Sequence, residues 1–207
     1  MKVVVSYISS IYDPKTTIAL INKTNADGIH ADLMDGLYVE NDNFDIDTIS
    51  NYFVDNKKPL DIHLMVNKPS VYFDQLFKLN PDCIYIHLNT EDDIIATLNE
   101  IDKENIKPGI AINPDEDLAL FENIFPYVKR VLLMSVVPGK GGQKFILATK
   151  DKLKKLKLYQ EKYHFEIFID GGINDETIKD VQLADGVVSG SYICMSNNFQ
   201  EKINTLK

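Results

Sequence analysis

The sequence predicts an α/β chain of the (β/α)8 barrel type, a parallel eight-stranded cylinder coated by helices, and three observations predict it. Short β-branched runs recur roughly every 20 to 35 residues with amphipathic segments between them, the pattern of right-handed βαβ units and a parallel sheet. Eight such runs fit into 207 residues with no composition break or linker. A single domain over 1–207 is therefore expected, near the roughly 200-residue lower limit of that fold. Histidines and aspartates also gather at the C-terminal ends of the runs, where such a barrel opens. An open doubly wound sheet is the competing arrangement for the same alternation.

The strands are expected at Val3–Tyr7, Gly28–Met34, Leu60–Val66, Cys83–His87, Pro108–Ile112, Arg130–Val136, Glu166–Asp170 and Gly186–Ser189. Helical patterns fall at Ser70–Leu79, Asp92–Glu104 and Leu147–Lys162. Two further segments open with helix-start chemistry: NPDEDLALFENIF from Asn113, with Pro and acids in its first turn, and NDETIKDV from Asn174.

With 44% hydrophobic and 26% charged residues, the composition is that of an ordinary globular protein. No stretch approaches the roughly 20 apolar residues that span a bilayer, and the opening MKVVVSYISS turns polar too soon for a secretory signal, so a cytoplasmic location is expected. Cys83 and Cys194, far apart and in no CxxC spacing, read as core residues rather than a disulfide or thiolate site. The formal net charge of −9 argues against nucleic acid or an anionic membrane as partner. It also requires that an anionic ligand be held by local dipoles.

Alternate residues of a strand share a face, so in GIHADLM residues His30, Asp32 and Met34 point to the barrel axis while Ile29, Ala31 and Leu33 meet the helices. LDIHLMV likewise places Asp61, His63 and Met65 together; IYIHLN ends with His87, VLLMS carries Met134, and EIFIDGG ends in Asp170. Only His164 lies away from a strand end. A lone inward histidine reads most simply as a hydrogen-bonded core residue. Several buried imidazoles and carboxylates converging without a cation carry a desolvation cost of several kcal/mol per charge. His30, Asp32, His63 and Asp170 thus suit one divalent ion such as zinc, iron, manganese or cobalt, without choosing among them.

Glycines form a second constellation: PGKGGQKF from Pro138, DGG from Asp170 and SGS from Ser189 follow the sixth, seventh and eighth strands. Barrels commonly hold phosphate at the last two of these turns with backbone N–H groups, which meets the charge constraint. The Pro138–Phe145 loop has the glycines of a lid.

In order along nearly the whole chain, HADLMDGLYVEN, LDIHLMV, KPGIAINP, VLLMSVVPGKGGQKF, FIDGGIN and ADGVVSGS resemble the signature segments of the ribulose-phosphate 3-epimerases. The resemblance implies a (β/α)8 barrel that interconverts ribulose 5-phosphate and xylulose 5-phosphate with a divalent metal. It implies metal ligands at His30, Asp32, His63 and Asp170, the two aspartates doubling as the acid/base pair. Substrate contacts are implied at Ser6, His63, Gly139, Lys140, Gly141, Gly142, Gly171, Gly172, Gly190 and Ser191, with Met34, Met65 and Met134 lining the site. The implied partners are a small sugar phosphate and further copies of the chain. Departures from the family pattern lie at the mouth: Val5, the run Leu37, Tyr38, Val39 and Glu40, then Lys140 and Asn89. They leave open a relative's substrate, allulose 6-phosphate, one carbon longer.

The chemistry is demanding. If the C3 proton is ~15 units less acidic than a carboxyl group, a carboxylate faces a gap of ~20 kcal/mol at ~1.36 kcal/mol per unit. A Lewis-acidic cation stabilising the enediolate is the largest available correction, and a base on each face of the sugar allows inversion. Two other readings compete. A lyase, decarboxylase or aldolase on a phosphorylated substrate usually needs a strand-end lysine, which LDIHLMV lacks. A non-catalytic sugar-phosphate binder would share the fold, since fold alone does not fix function.

Overall fold

The computed structural model describes residues 1–207. Eight parallel strands close in chain order into one barrel, the last pairing with the first. They are β1 (Lys2–Ser6), β2 (Gly28–Met34), β3 (Leu60–Met65), β4 (Cys83–His87), β5 (Lys107–Ile112), β6 (Arg130–Met134), β7 (Glu166–Asp170) and β8 (Gly186–Ser189). The strand β6 ends at Met134 rather than Val136, because the Ser135 hydroxyl turns onto the carbonyls of Asp170 (2.9 Å) and Gly171 (2.6 Å).

The helices are α1 (Pro14–Ile21), α2 (Ile46–Tyr52), α3 (Phe73–Leu76), α4 (Ile94–Lys103), α5 (Thr149–Tyr163), α6 (Ser191–Cys194) and α7 (Phe199–Asn204). Asp13, Asp45, Asp93 and Asn198 cap four of them, each accepting a backbone N–H of the first turn.

Three expected helices come out shorter. Ser70–Leu79 is held between Lys68 and Asn80, both in left-handed backbone, and splits into α3 flanked by 3-10 turns at Pro69–Tyr72 and Phe77–Leu79. The segment from Asn113 gives only 3-10 turns at Leu118–Phe121 and Phe125–Tyr127, where Pro126 has no N–H to continue a helix. Asn174 forms a turn ahead of the expected helix, its Oδ1 accepting from the N–H groups of Glu176 and Thr177, but the short path to β8 leaves room for one 3-10 turn, Ile178–Asp180, which follows Thr177.

The outer layer between strands and helices holds 47 buried apolar residues, among them Ile29, Ala31 and Leu33, whereas the apolar cluster inside the barrel has only 9. The axis is shared between these apolar residues and buried polar groups, among them His30, Asp61, His63, His87 and Arg130. Cys83 belongs to the inner cluster and Cys194 to the outer one, both as free thiols. The inner cluster depends on glycine at Gly109, where an added Cβ would fall 2.4 Å from the Tyr85 ring.

At the N-terminal end of the barrel Arg130 closes the axis. Its guanidinium reaches Asp61 (2.9 Å), Asp82 (2.9 Å) and Glu166 (2.8 Å) and lies over the Phe168 ring (4.8 Å). Asp61 faces inward as its alternation requires, but serves this plug rather than the mouth. No helix is long and apolar enough to cross a membrane.

Candidate active site and metal centre

Strand register builds the site. In the β2–β3 pair Asp32 sits beside His63 and Met34 beside Met65; Ser6 lies beside His30, and Met134 beside Asp170. Four inward side chains thereby meet at the C-terminal end of the barrel. Nε2 of His30 lies 3.3 Å from Asp32 Oδ1 and 3.8 Å from Asp170 Oδ2; Nδ1 of His63 lies 3.1 Å and 3.9 Å from the same two atoms. One donor atom from each residue falls within 4.8 Å of all the others.

These residues fit a divalent cation. Both ring nitrogens of His30 are buried without a hydrogen-bond partner, although one faces two carboxylates. An orphaned buried imidazole of this kind costs free energy unless a ligand satisfies it. Two nitrogens and two carboxylate oxygens also make a donor set that zinc and its neighbours accept.

The electrostatics separate the two aspartates. Burial works to raise the Asp32 carboxyl, but the charge of the nearby His30 and the hydrogen bond with His63 hold it well below the usual range. Burial, reinforced by the Asp32 charge, pushes Asp170 up to about 7. Burial disfavours the charged form of His30, yet Asp32 outweighs it and raises the imidazole to about 9. His63 is pushed below its ordinary value by burial, which its hydrogen bond with Asp32 and the charge of that carboxylate do not offset.

Above this floor lies a cavity of about 290 Å³. Its walls contain Ser6, Asp32, Asp170 and the three methionines, and its rim brings together Gly139–Gly142, Gly171, Gly172, Gly190 and Ser191. His30 and His63 lie beneath the cavity surface, fully buried. Gly171 needs to be glycine: its φ is +114°, and a Cβ there would meet Val136 at 2.3 Å. Ser6 is turned onto Asp32, its Oγ donating to Oδ2 at 2.8 Å.

The departures at the mouth fall into place around one another. Lys140 pairs with Glu40 across the opening (3.6 Å), and Asn41 reaches the Gly139 carbonyl beside them. Gln143 Nε2 braces the glycine loop from within, donating to the carbonyls of Val137 (2.6 Å) and Lys140 (2.8 Å). The Tyr38 ring lies 4.7 Å from that of His87, with its hydroxyl taking a hydrogen bond from Asn113 (3.0 Å). Leu37 and Asn89 are exposed and Val5 is buried in the outer layer.

Sequence reading missed Ile8, Ser9, Asn41, Gln143 and Ile173 in the cavity wall. It also missed two supports of β2. Asn43 continues the strand's ladder with its side chain, donating to Asp32 O (3.0 Å) and accepting from Met34 N (2.8 Å). Asp35 accepts from Leu37, Tyr38 and Asn67 backbone N–H groups, tying two mouth loops together. The Asp-Gly after Met34 is a signal for such a turn.

The model of the ribulose-phosphate 3 epimerase family matches residues 3–194. The chain belongs to that family. A Helicobacter pylori (strain J99) protein named ribulose-phosphate 3-epimerase is 38% identical over 188 residues, covering 89% of this chain and 87% of that one. Its namesake from Bacillus subtilis is 32% identical over 197 residues, covering 90% and 88%. Among solved structures, a 3-hexulose-6-phosphate synthase superposes with a TM-score of 0.68 at 18% identity, over 100% of this chain and 98% of that one. At that identity the likeness is one of fold. Family membership agrees with the resemblance read from the motifs.

Proposed function

We propose that this member of the ribulose-phosphate 3-epimerase family interconverts D-ribulose 5-phosphate and D-xylulose 5-phosphate by proton transfer at C3 between substrate and the pair Asp32 and Asp170. The observation that carries the proposal is the convergence of two carboxylates, Asp32 and Asp170, on two buried imidazoles, with one donor atom of each residue within 4.8 Å of all the others. An acid and a base in different protonation states can exchange roles when the reaction reverses. Asp32 extends from β2 and Asp170 from β7, so the two approach a bound sugar from different sides of the barrel.

His30, Asp32, His63 and Asp170 would hold the divalent cation. When bound, the cation supplies Lewis-acid stabilisation of negative charge on the ketose oxygens. Ser6 keeps the Asp32 carboxylate oriented through its hydrogen bond. Met34, Met65 and Met134, each at most 4% exposed, line the chamber with polarisable, water-excluding side chains. The glycine rim presents backbone N–H groups to a phosphate, Lys140 adds the one cationic side chain of the cavity wall, and the Pro138–Phe145 loop closes over the ligand.

A six-carbon substrate is the second reading, favoured by the altered residues Leu37, Glu40 and Lys140 around the mouth. The test is a side-by-side assay of metal-reconstituted protein with ribulose 5-phosphate and allulose 6-phosphate. A higher kcat/KM for the pentulose supports the proposal; turnover of the hexulose alone contradicts its substrate, and turnover of neither contradicts the activity.

A further inference from the structure

His87, at the end of β4, is 1% exposed and takes no part in the four-residue donor set. Its Nε2 lies 2.8 Å from Nε2 of His63, whose other nitrogen, Nδ1, faces Asp32 Oδ1 at 3.1 Å. Two ring nitrogens this close can share only one hydrogen, so one imidazole donates and the other accepts. The Nδ1 of His87 has no partner, and the Tyr38 ring covers that imidazole. A partner on Nδ1 would have frozen one tautomer; none does.

Each of the two arrangements suits one state of the site. If His87 donates, His63 carries its hydrogen on Nδ1 and gives it to Asp32, an arrangement that satisfies the pair when no cation is present. If His63 donates, its Nδ1 lone pair is free to face the cluster, as ligation of a cation requires.

We infer that His87 is a positioning residue that switches the tautomer of His63, donating to it in the cation-free protein and accepting from it when a divalent cation is bound. The exchange conserves protons. The bridging hydrogen passes from His87 Nε2 to His63 Nε2, His63 Nδ1 loses one to solvent, and His87 Nδ1 gains one. A carboxylate in place of His87 could only accept, which would leave His63 without a donor in the cation-free state.

The inference rests on the metal-centre reading above. Its test combines long-range proton–nitrogen NMR of protein carrying nitrogen-15 histidine, in EDTA and after adding Zn²⁺, with Zn²⁺ calorimetry of the wild type, His87→Gln and His87→Leu. The expected spectra place the hydrogen of His63 on Nδ1 and that of His87 on Nε2 in EDTA, and on the opposite nitrogens with zinc. His87→Leu is expected to bind zinc about 10- to 100-fold more weakly, and His87→Gln, whose side-chain oxygen can accept, to recover most of the loss. Unchanged tautomers in the wild-type spectra, or equal affinity of His87→Leu, overturn the role of His87. A wild type that binds no zinc overturns the metal centre itself.

Discussion

The hydroxyl of Ser6 donates to Oδ2 of Asp32 at 2.8 Å and leaves Oδ1 of the same carboxylate to the two buried imidazoles. The carboxylate is thus divided between a neutral donor and the two imidazoles, and the donor favours its ionised, correctly aimed form. Ser6→Ala should keep the fold and lower kcat/KM by about tenfold to a hundredfold, as loss of ~1.5–3 kcal/mol from a charge-assisted hydrogen bond implies. Steady-state kinetics beside an unchanged thermal melt checks this. A smaller effect in Ser6→Thr, which retains the hydroxyl, would assign the loss to the bond.

Arg130 makes the opposite end of the barrel dependent on one side chain. Replacing it by Met leaves Asp61, 2% exposed, without its counter-charge, and should cost about 3–5 kcal/mol of stability. Adding Asp61→Leu to Arg130→Met should recover part of that loss, since an apolar pair can replace a buried ionic one. Urea unfolding of the single and double variants is the measurement.

Much of this was legible in the sequence, and the reason is geometric. A residue that must face the axis has a fixed parity on its strand, so His30, Asp32, His63 and Asp170 could be placed from alternation alone. Glycine spacing likewise located the rim, because such turns need backbone freedom. The plug at Arg130 was not legible, since its partners Asp61, Asp82 and Glu166 lie on different elements and share no spacing. The same holds for the contact of His63 with His87, two histidines of ordinary strand-end appearance. The helical segment from Asn113 misled because its capping chemistry is real, Asp117 accepting from Ala119, while Pro126 and the short connection allow only 3-10 turns.

Acid should unfold the protein through its tethered carboxylates. Burial raises the Asp35 carboxyl, but the N–H groups of Tyr38, Asn67 and Leu37 more than offset it and hold the group below its ordinary value. For Glu166, burial is likewise overcome by Lys2 and Arg130. A depressed folded value means that the stabilisation is complete above the unfolded values of 3.8 for Asp and 4.5 for Glu, and is lost as pH falls through the lower folded ones. Melting temperature should therefore drop steeply below about pH 4, and Asp35→Asn should flatten that drop.

Removing the cation should weaken the fold as well as the activity. A ligand bound only by the native state adds about 2.7 kcal/mol when its free concentration is 100 times Kd. EDTA should lower the melting temperature of the wild type, and Zn²⁺, Mn²⁺ or Co²⁺ should restore it. A His30→Ala variant, lacking one donor, should respond far less to either addition.

The most direct measurement follows C3 of the sugar in D₂O by NMR, comparing the metal-reconstituted wild type with Asp170→Asn. The wild type should interconvert the two pentulose phosphates and place solvent deuterium on C3 of the product, while Asp170→Asn, folded by its melt, should leave them unconverted. Near-normal interconversion by Asp170→Asn, or wild-type conversion with no deuterium at C3, would contradict proton transfer between the two aspartates.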